Sequence, residues 1–488
     1  MSENLPLRPG DKVFRPKRVT RFHLRRVLGV TGLFSAAYGN VGSSIYYGLG
    51  IVAMSALGLT PPVLIVSGIV FLFTALTYSE GATMLPEAGG SGAFAYRAFN
   101  HWISFIASWV LMLDYILTMS ISAFTAANYL GFFFPIVKTW PINSIGGVVI
   151  VALIAAVNIR GLQESSLLNL VLVLIDIVTQ ITIAVLGVLM IINLPTLFAN
   201  VHWGVAPTAT QLIFGISISM IAYTGIETVA NLGSETRNPE KNIPRAVFLV
   251  FIVVIALYSL LSMTALSAYP VYQGQDGLWI TDLTQKFLED PIMGIAMALP
   301  VAIRPILSFW VALLAVTILV IATNAGMLGA SRLAYSMGQR GQLPGFASNV
   351  SRHSRVPFNA IIIFSVIASV LIATGRITLL ADLYAFGAVL AYTLAHASII
   401  ALRIREPNLP RPFKVPLNIH VKGRDIPVTA VIGGLATFIT WFMIVYTHEI
   451  GRIVGFSWLA VGLIIYGIYR YKHRNPNDEW IVKREKTL

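Results

Sequence analysis

The chain has 488 residues, enough for about three soluble domains, yet 56% of it is apolar, only 11% is charged and its mean hydropathy is +0.76. Soluble domains carry about 25% charge, so this composition excludes a cytosolic enzyme and points to an integral membrane protein. There is no cysteine, which removes a disulfide scaffold, thiolate metal sites and a cysteine nucleophile together.

Twelve apolar spans are predicted in chain order, at about 29–56, 61–83, 101–134, 145–160, 165–194, 208–233, 246–269, 295–330, 357–374, 378–402, 426–448 and 453–471. The class is an all-α membrane protein. Residues 1–28 form a basic tail carrying Lys12, Arg15, Lys17, Arg18, Arg21, Arg25 and Arg26, suited to touching anionic lipid headgroups; the apolar stretch after it is too long for a cleaved signal. Residues 29–402 make a ten-helix core, 403–471 a loop with two more spans, and 472–488 a second tail. The segment 270–294, with Tyr272, Asp276, Trp279 and Asp282, has room for small helices, and no soluble domain is expected.

The net charge of +13 is resolved by position. An even number of spans puts both termini on one side, and 29 of the 34 Lys and Arg residues fall in the segments on that side. Such a bias is the positive-inside rule, so both termini are expected in the cytoplasm, the protein in the cell membrane, and nucleic acid is not an expected partner.

Two spans are interrupted. The first carries Tyr38-Gly-Asn-Val-Gly-Ser-Ser-Ile45 near its middle, and the sixth carries Ala222-Tyr-Thr-Gly-Ile-Glu227. Backbone that leaves helical geometry at membrane depth is tolerated where it lines a cavity or binds something; the alternative is that small residues merely allow close packing. Spans one and six are equivalent members of two five-helix halves, about 29–194 and 208–402, if the chain contains inverted repeats. Broken helices at corresponding positions mark a transporter's substrate site.

These residues bring a family into view. Over roughly residues 20–470 the chain resembles the amino acid, polyamine and organocation (APC) transporter superfamily. The resemblance rests on Gly39-Asn-Val-Gly-Ser-Ser-Ile45, on Pro86-Glu-Ala-Gly-Gly-Ser-Gly-Ala-Phe-Ala-Tyr96, and on Thr224-Gly-Ile-Glu227 followed by Glu235-Thr-Arg-Asn-Pro-Glu-Lys-Asn-Ile-Pro-Arg-Ala246. It extends through Asn324-Ala, Ser331-Arg-Leu-Ala-Tyr, Gly341-Gln-Leu-Pro344 and Arg411-Pro-Phe-Lys-Val-Pro416. It implies a LeuT-type fold, a 5+5 inverted repeat with broken helices one and six plus two C-terminal helices, and alternating access in which spans 1, 2, 6 and 7 rock against 3, 4, 8 and 9.

A broken helix exposes backbone N–H donors at the positive end of its second half, and these suit an anion. Gly42, Ser43, Ser44 and Ile45, beside Gly39, are therefore expected to cradle a substrate carboxylate, and the carbonyls of Tyr223 and Thr224, next to Gly225, to take an ammonium. The matching positions do this work in amino acid carriers that the chain resembles. Tyr46 and Tyr47 stand where many members have one Phe, and Tyr223 is a gate candidate, aromatic walls at helical spacing being equally consistent with packing.

Four ionisable side chains lie inside apolar spans, where each costs about 2.5–3.5 kcal/mol and marks function by default: Asp114, Asp176, Glu227 and His396. Asp114 can meet a cationic substrate group or an ion, or close an internal hydrogen bond. Glu227 lies one turn past the sixth-span break, where it can cap the broken segment and organise the gate. Asp176 falls near where proton-coupled members often have a lysine; it can accept a proton, help coordinate a cation with first-span carbonyls and the hydroxyls of Thr317 or Thr323, or bond a neighbour such as Thr179. His396 reads as a satisfied packing histidine.

Gly48-Leu-Gly50-Ile-Val-Ala53 matches a dinucleotide fingerprint by letter only, because it lies inside an apolar span with no preceding strand. No phosphate loop and no H-E-x-x-H pair occur, so transport is expected to be gradient-driven, with no cofactor, metal or enzymatic activity. The expected cargo is an amino acid moved with a proton or sodium ion. The alternative is a proton-coupled potassium importer of the same superfamily, which Tyr38-Gly39, Asp114-Tyr115 with Thr118, Thr224 with Glu227 and Leu383-Tyr384-Ala385 resemble in their ion ligands; Thr31 stands where those importers have an acid.

Overall fold

The computed structural model describes residues 28–86, 89–160, 166–348, 356–421 and 423–472. Both tails, with their basic clusters, lie outside the described residues. Ten helical stretches are long and apolar enough to cross a membrane. The first runs 55 residues, Val30–Met84, about 80 Å of helix against a hydrocarbon core of about 30 Å, so it must cross twice. It turns at Leu57, whose φ of 46° ends one crossing before Thr60–Met84 begins the next. Adding the short apolar helix Phe358–Ala373 gives the twelve expected crossings.

Span one is Val30–Val41 and Ile45–Ala56, and span two is Thr60–Met84. Spans three, four and five are His101–Leu130, Ile142–Ile159 and Ser166–Met190. Span six is divided into Ala209–Ser219 and Glu227–Asn231; spans seven, eight, nine and ten are Pro239–Ala268, Arg304–Gln339, Phe358–Ala373 and Ile377–Arg405. Spans eleven and twelve are Val428–Thr447 and Glu449–Lys472. Span three sits at the centre, with every residue from Ala107 to Tyr129 buried against its neighbours.

Contacts place the loops on two faces. On the terminal face, Leu28 exchanges backbone hydrogen bonds with Glu235 (3.0 Å) and Arg237 (2.8 Å), Glu235 pairs with Arg332 of span eight at 3.2 Å, and Arg470 lies over the Trp102 ring. On the far face, Lys138 pairs with Asp290, and the segment between spans seven and eight folds into a hairpin, Val271–Gln273 with Trp279–Thr281, followed by the helices Asp282–Lys286 and Pro291–Ala298. The room for small helices expected there is used.

One boundary needs correction. The apolar run read as the start of span eight at 295 belongs to the separate helix Pro291–Ala298; span eight begins at Arg304 with Pro305 in its first turn and runs on to Gln339. Its last turns extend past the membrane because Arg332 and Arg340 have partners on the terminal face: Arg332 pairs with Glu235, and Arg340 lies over the Tyr96 ring.

Candidate functional site

The two interruptions differ. In span six the chain leaves the helix outright: Thr224 is extended (φ −79°, ψ 153°) and Gly225 has φ +119°, a region glycine alone enters freely. A Cβ on Gly225 would also lie 2.9 Å from the Val41 nitrogen, so this glycine lets spans one and six cross backbone to backbone. Glu227 then caps the restart, its Oε2 accepting from the Gly225 N–H and from Tyr392 Oη, both at 3.1 Å.

In span one the interruption is a tightened 3₁₀ turn, Gly42–Ser44, that stays right-handed. Here the expectation of free backbone donors needs correction. The Gly42 N–H bonds the Tyr38 carbonyl, and the Tyr38 ring lies where a Cβ on Gly42 would be, 2.6 Å from the nearest ring atom. Ser43 Oγ donates to the Asn40 carbonyl at 2.8 Å, and Ser44 Oγ pairs with Tyr47 Oη at 2.9 Å. Gly39 faces Val173 of span five and Ile321 of span eight, and Ile45 is fully buried.

Tyr384 of span ten lies between spans three and six. Its hydroxyl meets Thr118 of span three at 2.7 Å and Thr224 of span six at 2.5 Å, which joins three spans in one cluster. Asp114 lies one turn before Thr118 and is fully buried, yet neither carboxylate oxygen has a hydrogen-bond partner. Glu227, with its Oε1 likewise unpaired, lies within electrostatic reach. A buried carboxylate without a partner costs several kcal/mol when ionised. All of these groups are shielded from solvent.

Asp176 is placed elsewhere. It accepts from Tyr46 Oη at 2.6 Å, Tyr38 Oη at 3.2 Å and Gln180 Nε2 at 2.8 Å. Its expected partners are not brought to it: Thr317, Thr323 and Thr179 each turn the hydroxyl to their own helix, onto Leu314, Leu319 and Ile175. Tyr223 also departs from the gate role, since its hydroxyl donates to the Leu64 carbonyl at 2.7 Å and its ring packs on Phe71 and Tyr258. Tyr47 is buried, with its hydroxyl on Ser44. His396 is the satisfied histidine expected, between Thr74 and Thr77.

A fourth buried acid escaped the sequence reading. Glu80 of span two takes a bidentate pair from Arg403 (2.6 and 2.7 Å) and the Val415 N–H at 2.9 Å, which anchors the Arg411–Pro416 loop beneath spans two and ten. Its nearness to a span end, where charges are normally solvated, concealed it. Outside the spans, burial pushes the Glu289 carboxyl up to about 7 with help from the Asp290 charge, and burial also raises Asp290 against the pull of Lys138.

A profile of the amino acid permease family matches residues 28–469. The chain belongs to that family. This permease is similar to the branched-chain amino acid permease BcaP of Bacillus subtilis, 27% identical with 93% of this chain and 95% of that one covered. It is also similar to the low-affinity putrescine importer PlaP of Escherichia coli, 28% identical over 84% of this chain and 86% of the relative, and to the methylthioribose transporter of B. subtilis, 25% identical over 89% and 90%. A solved manganese transporter of Eremococcus coleocola shares the fold at a TM-score of 0.54 and 11% identity, covering 91% of this chain and 94% of that one. The permease is thus a multi-pass APC transporter with the LeuT-type fold, and its family is one of carriers, not enzymes.

Proposed function

We propose that this permease is a secondary active transporter of an amino acid, whose ammonium group is received by Asp114 opposite Thr118, Thr224 and Tyr384. The observation that carries the reading is the fully buried Asp114 carboxylate with both oxygens unpaired, within electrostatic reach of a second acid, Glu227. Relatives named for branched-chain amino acids and putrescine share an amine in their cargo, which agrees with a cation-receiving pocket. The carboxylate end would be met by Gly42, Ser43 and Ser44 once the 3₁₀ turn opens. Asp176 serves the coupling step as a proton acceptor held by span one. The charge bias of the loops supports a cytoplasmic terminal face, and the reading puts the permease in the cell membrane.

The Thr118–Tyr384–Thr224 hydroxyl cluster beside Asp114 favours a second reading, potassium as cargo. Thermal unfolding of the detergent-purified protein in sodium- and potassium-free buffer, against twenty amino acids, putrescine and K⁺, separates the two. A ligand at 100 times its dissociation constant adds about 2.7 kcal/mol. Stabilisation by an amino acid, lost in Asp114→Asn, is the expected result; stabilisation by K⁺ alone replaces the first reading with the second.

A further inference from the structure

Between spans ten and eleven, on the terminal face, the chain forms a second hairpin that neither the candidate site nor the coupling acid uses. Asn418–Val421 pairs antiparallel with Arg424–Pro427, in the register Asn418 to Pro427, Ile419 to Ile426, His420 to Asp425 and Val421 to Arg424. Successive side chains of a strand point to opposite faces, and residues directly opposite one another share a face. One face is polar: His420 Nδ1 lies 3.0 Å from one Asp425 oxygen, and Lys414 Nζ lies 3.6 Å from the other. The other face carries Ile419 and Val421 with Ile426 across from them, and it ends in Arg424. Ile419 is 57% exposed, and Leu417, which turns the chain into the hairpin at φ 57°, is 69% exposed.

What covers this apolar strip is decided by where the hairpin is rooted. Span eleven begins at Val428, the residue after Pro427, and the Val428 N–H bonds the Leu417 carbonyl at 2.9 Å. Ile426 is two residues before that start, so Ile426 and its partner Ile419 lie within about 7 Å of it at the rise of a strand. The headgroup layer on each side of the hydrocarbon is about 5–8 Å thick, so the strip falls inside it. It also continues the exposed apolar flank of span eleven, where Ile432 stands one turn beyond Val428 and Leu435 follows. Arg424 is exposed and has no acidic partner among the described residues. From Arg411 to Pro427 the sequence holds Arg411, Lys414, Lys422 and Arg424 against Asp425 alone, a balance that attracts anionic lipid beside a span.

We propose that this hairpin docks into the anionic lipid leaflet on the terminal face, with its apolar strip at the headgroup–acyl boundary and Arg424 on a lipid phosphate. An apolar strip opposite a polar face is the pattern of elements that lie in the plane of a membrane interface. Val415, whose N–H is held by Glu80, is three residues before Asn418, so the docked hairpin and the span-two anchor bear on the same loop. The proposal goes beyond the assignment of cargo and does not depend on which side is the cytoplasm.

The absence of cysteine allows single labels in the full chain. Ile419→Cys and His420→Cys, neighbours on opposite faces, are each labelled with nitrobenzoxadiazole and reconstituted into vesicles of phosphatidylcholine and phosphatidylglycerol, with or without a lipid nitroxide near the top of the acyl chain. The nitroxide is expected to quench the Ile419→Cys label about two- to threefold more than the His420→Cys label, and more than a nitroxide deep in the chain does, as fits a depth of about 5–10 Å. In phosphatidylcholine alone, and in an Arg424→Gln background, that excess should fall by about half or more, because each basic residue near the surface adds to the attraction. Leu417→Cys repeats the measurement if Ile419→Cys does not reconstitute. Equal quenching at the two faces overturns the proposal and leaves the strip to a protein partner. An excess that survives both the removal of phosphatidylglycerol and Arg424→Gln overturns it as well.

Discussion

Asp114 has no partner and Asp176 has three, so the same change to asparagine acts on them in opposite directions. At Asp114 it removes a buried charge that nothing in the protein compensates; unfolding without ligand is expected to occur at an equal or higher temperature, while ligand stabilisation disappears. At Asp176 it places an amide where Tyr46 and Tyr38 need acceptors, costing about 1–3 kcal/mol, and it also removes the titrating group. Asp176→Asn should therefore unfold earlier and lose accumulation driven by a pH gradient while retaining exchange. Accumulation equal to the parent's would exclude Asp176 from coupling. Both acids were legible as charges inside apolar spans. Their surroundings were not: Tyr38 and Tyr46 lie 138 and 130 positions from Asp176, and the hydroxyls of Thr317 and Thr323 could be judged only once the helix carbonyls that claim them were in place.

At the scale of elements, the sequence located both interruptions because glycine and polar residues inside apolar runs are rare, but the letters could not separate a 3₁₀ tightening from an unwound backbone. Of the glycines at the two interruptions, Gly225 is the one at positive φ, so Gly225→Ala is expected to disrupt the crossing of spans one and six, whereas Gly42 is limited by the Tyr38 ring. The pairing of Glu80 with Arg403 and the Val415 N–H joins elements more than 300 residues apart, beyond the reach of any local pattern. Breaking one side of a buried ion pair costs about 3–5 kcal/mol, so Glu80→Gln should lower thermal stability sharply. Replacing both partners by apolar residues, Glu80→Leu with Arg403→Met, should recover most of that loss. If the double variant is no better than Glu80→Gln, the loop anchor at Val415 carries the stability rather than the ion pair.

For the molecule as a whole, the two faces differ in what holds them and in how they respond to pH. Glu289 on the far face binds its proton more tightly folded than unfolded, its value rising from 4.5 to about 7. Between those values the folded state holds the extra proton, so the stability it contributes is present at low pH and is lost as pH rises through about 7. Because the group is only half-buried, about 1–2 kcal/mol is expected across that window, and Glu289→Gln should flatten the fall in unfolding temperature between pH 5 and 8; an unchanged slope would assign it to other groups. Orientation is the remaining global property. Loop charge carries that expectation without any contact, since the segments assigned to one side hold 29 of the 34 basic residues of the sequence, and the contacts of Leu28, Arg332 and Arg470 bring described parts of those segments together. With no native thiol to mask, Asn408→Cys on that face should stay unlabelled by an impermeant maleimide until the cells are permeabilised. The reverse result would make the basic face external, against the bias that orients Lys and Arg during insertion.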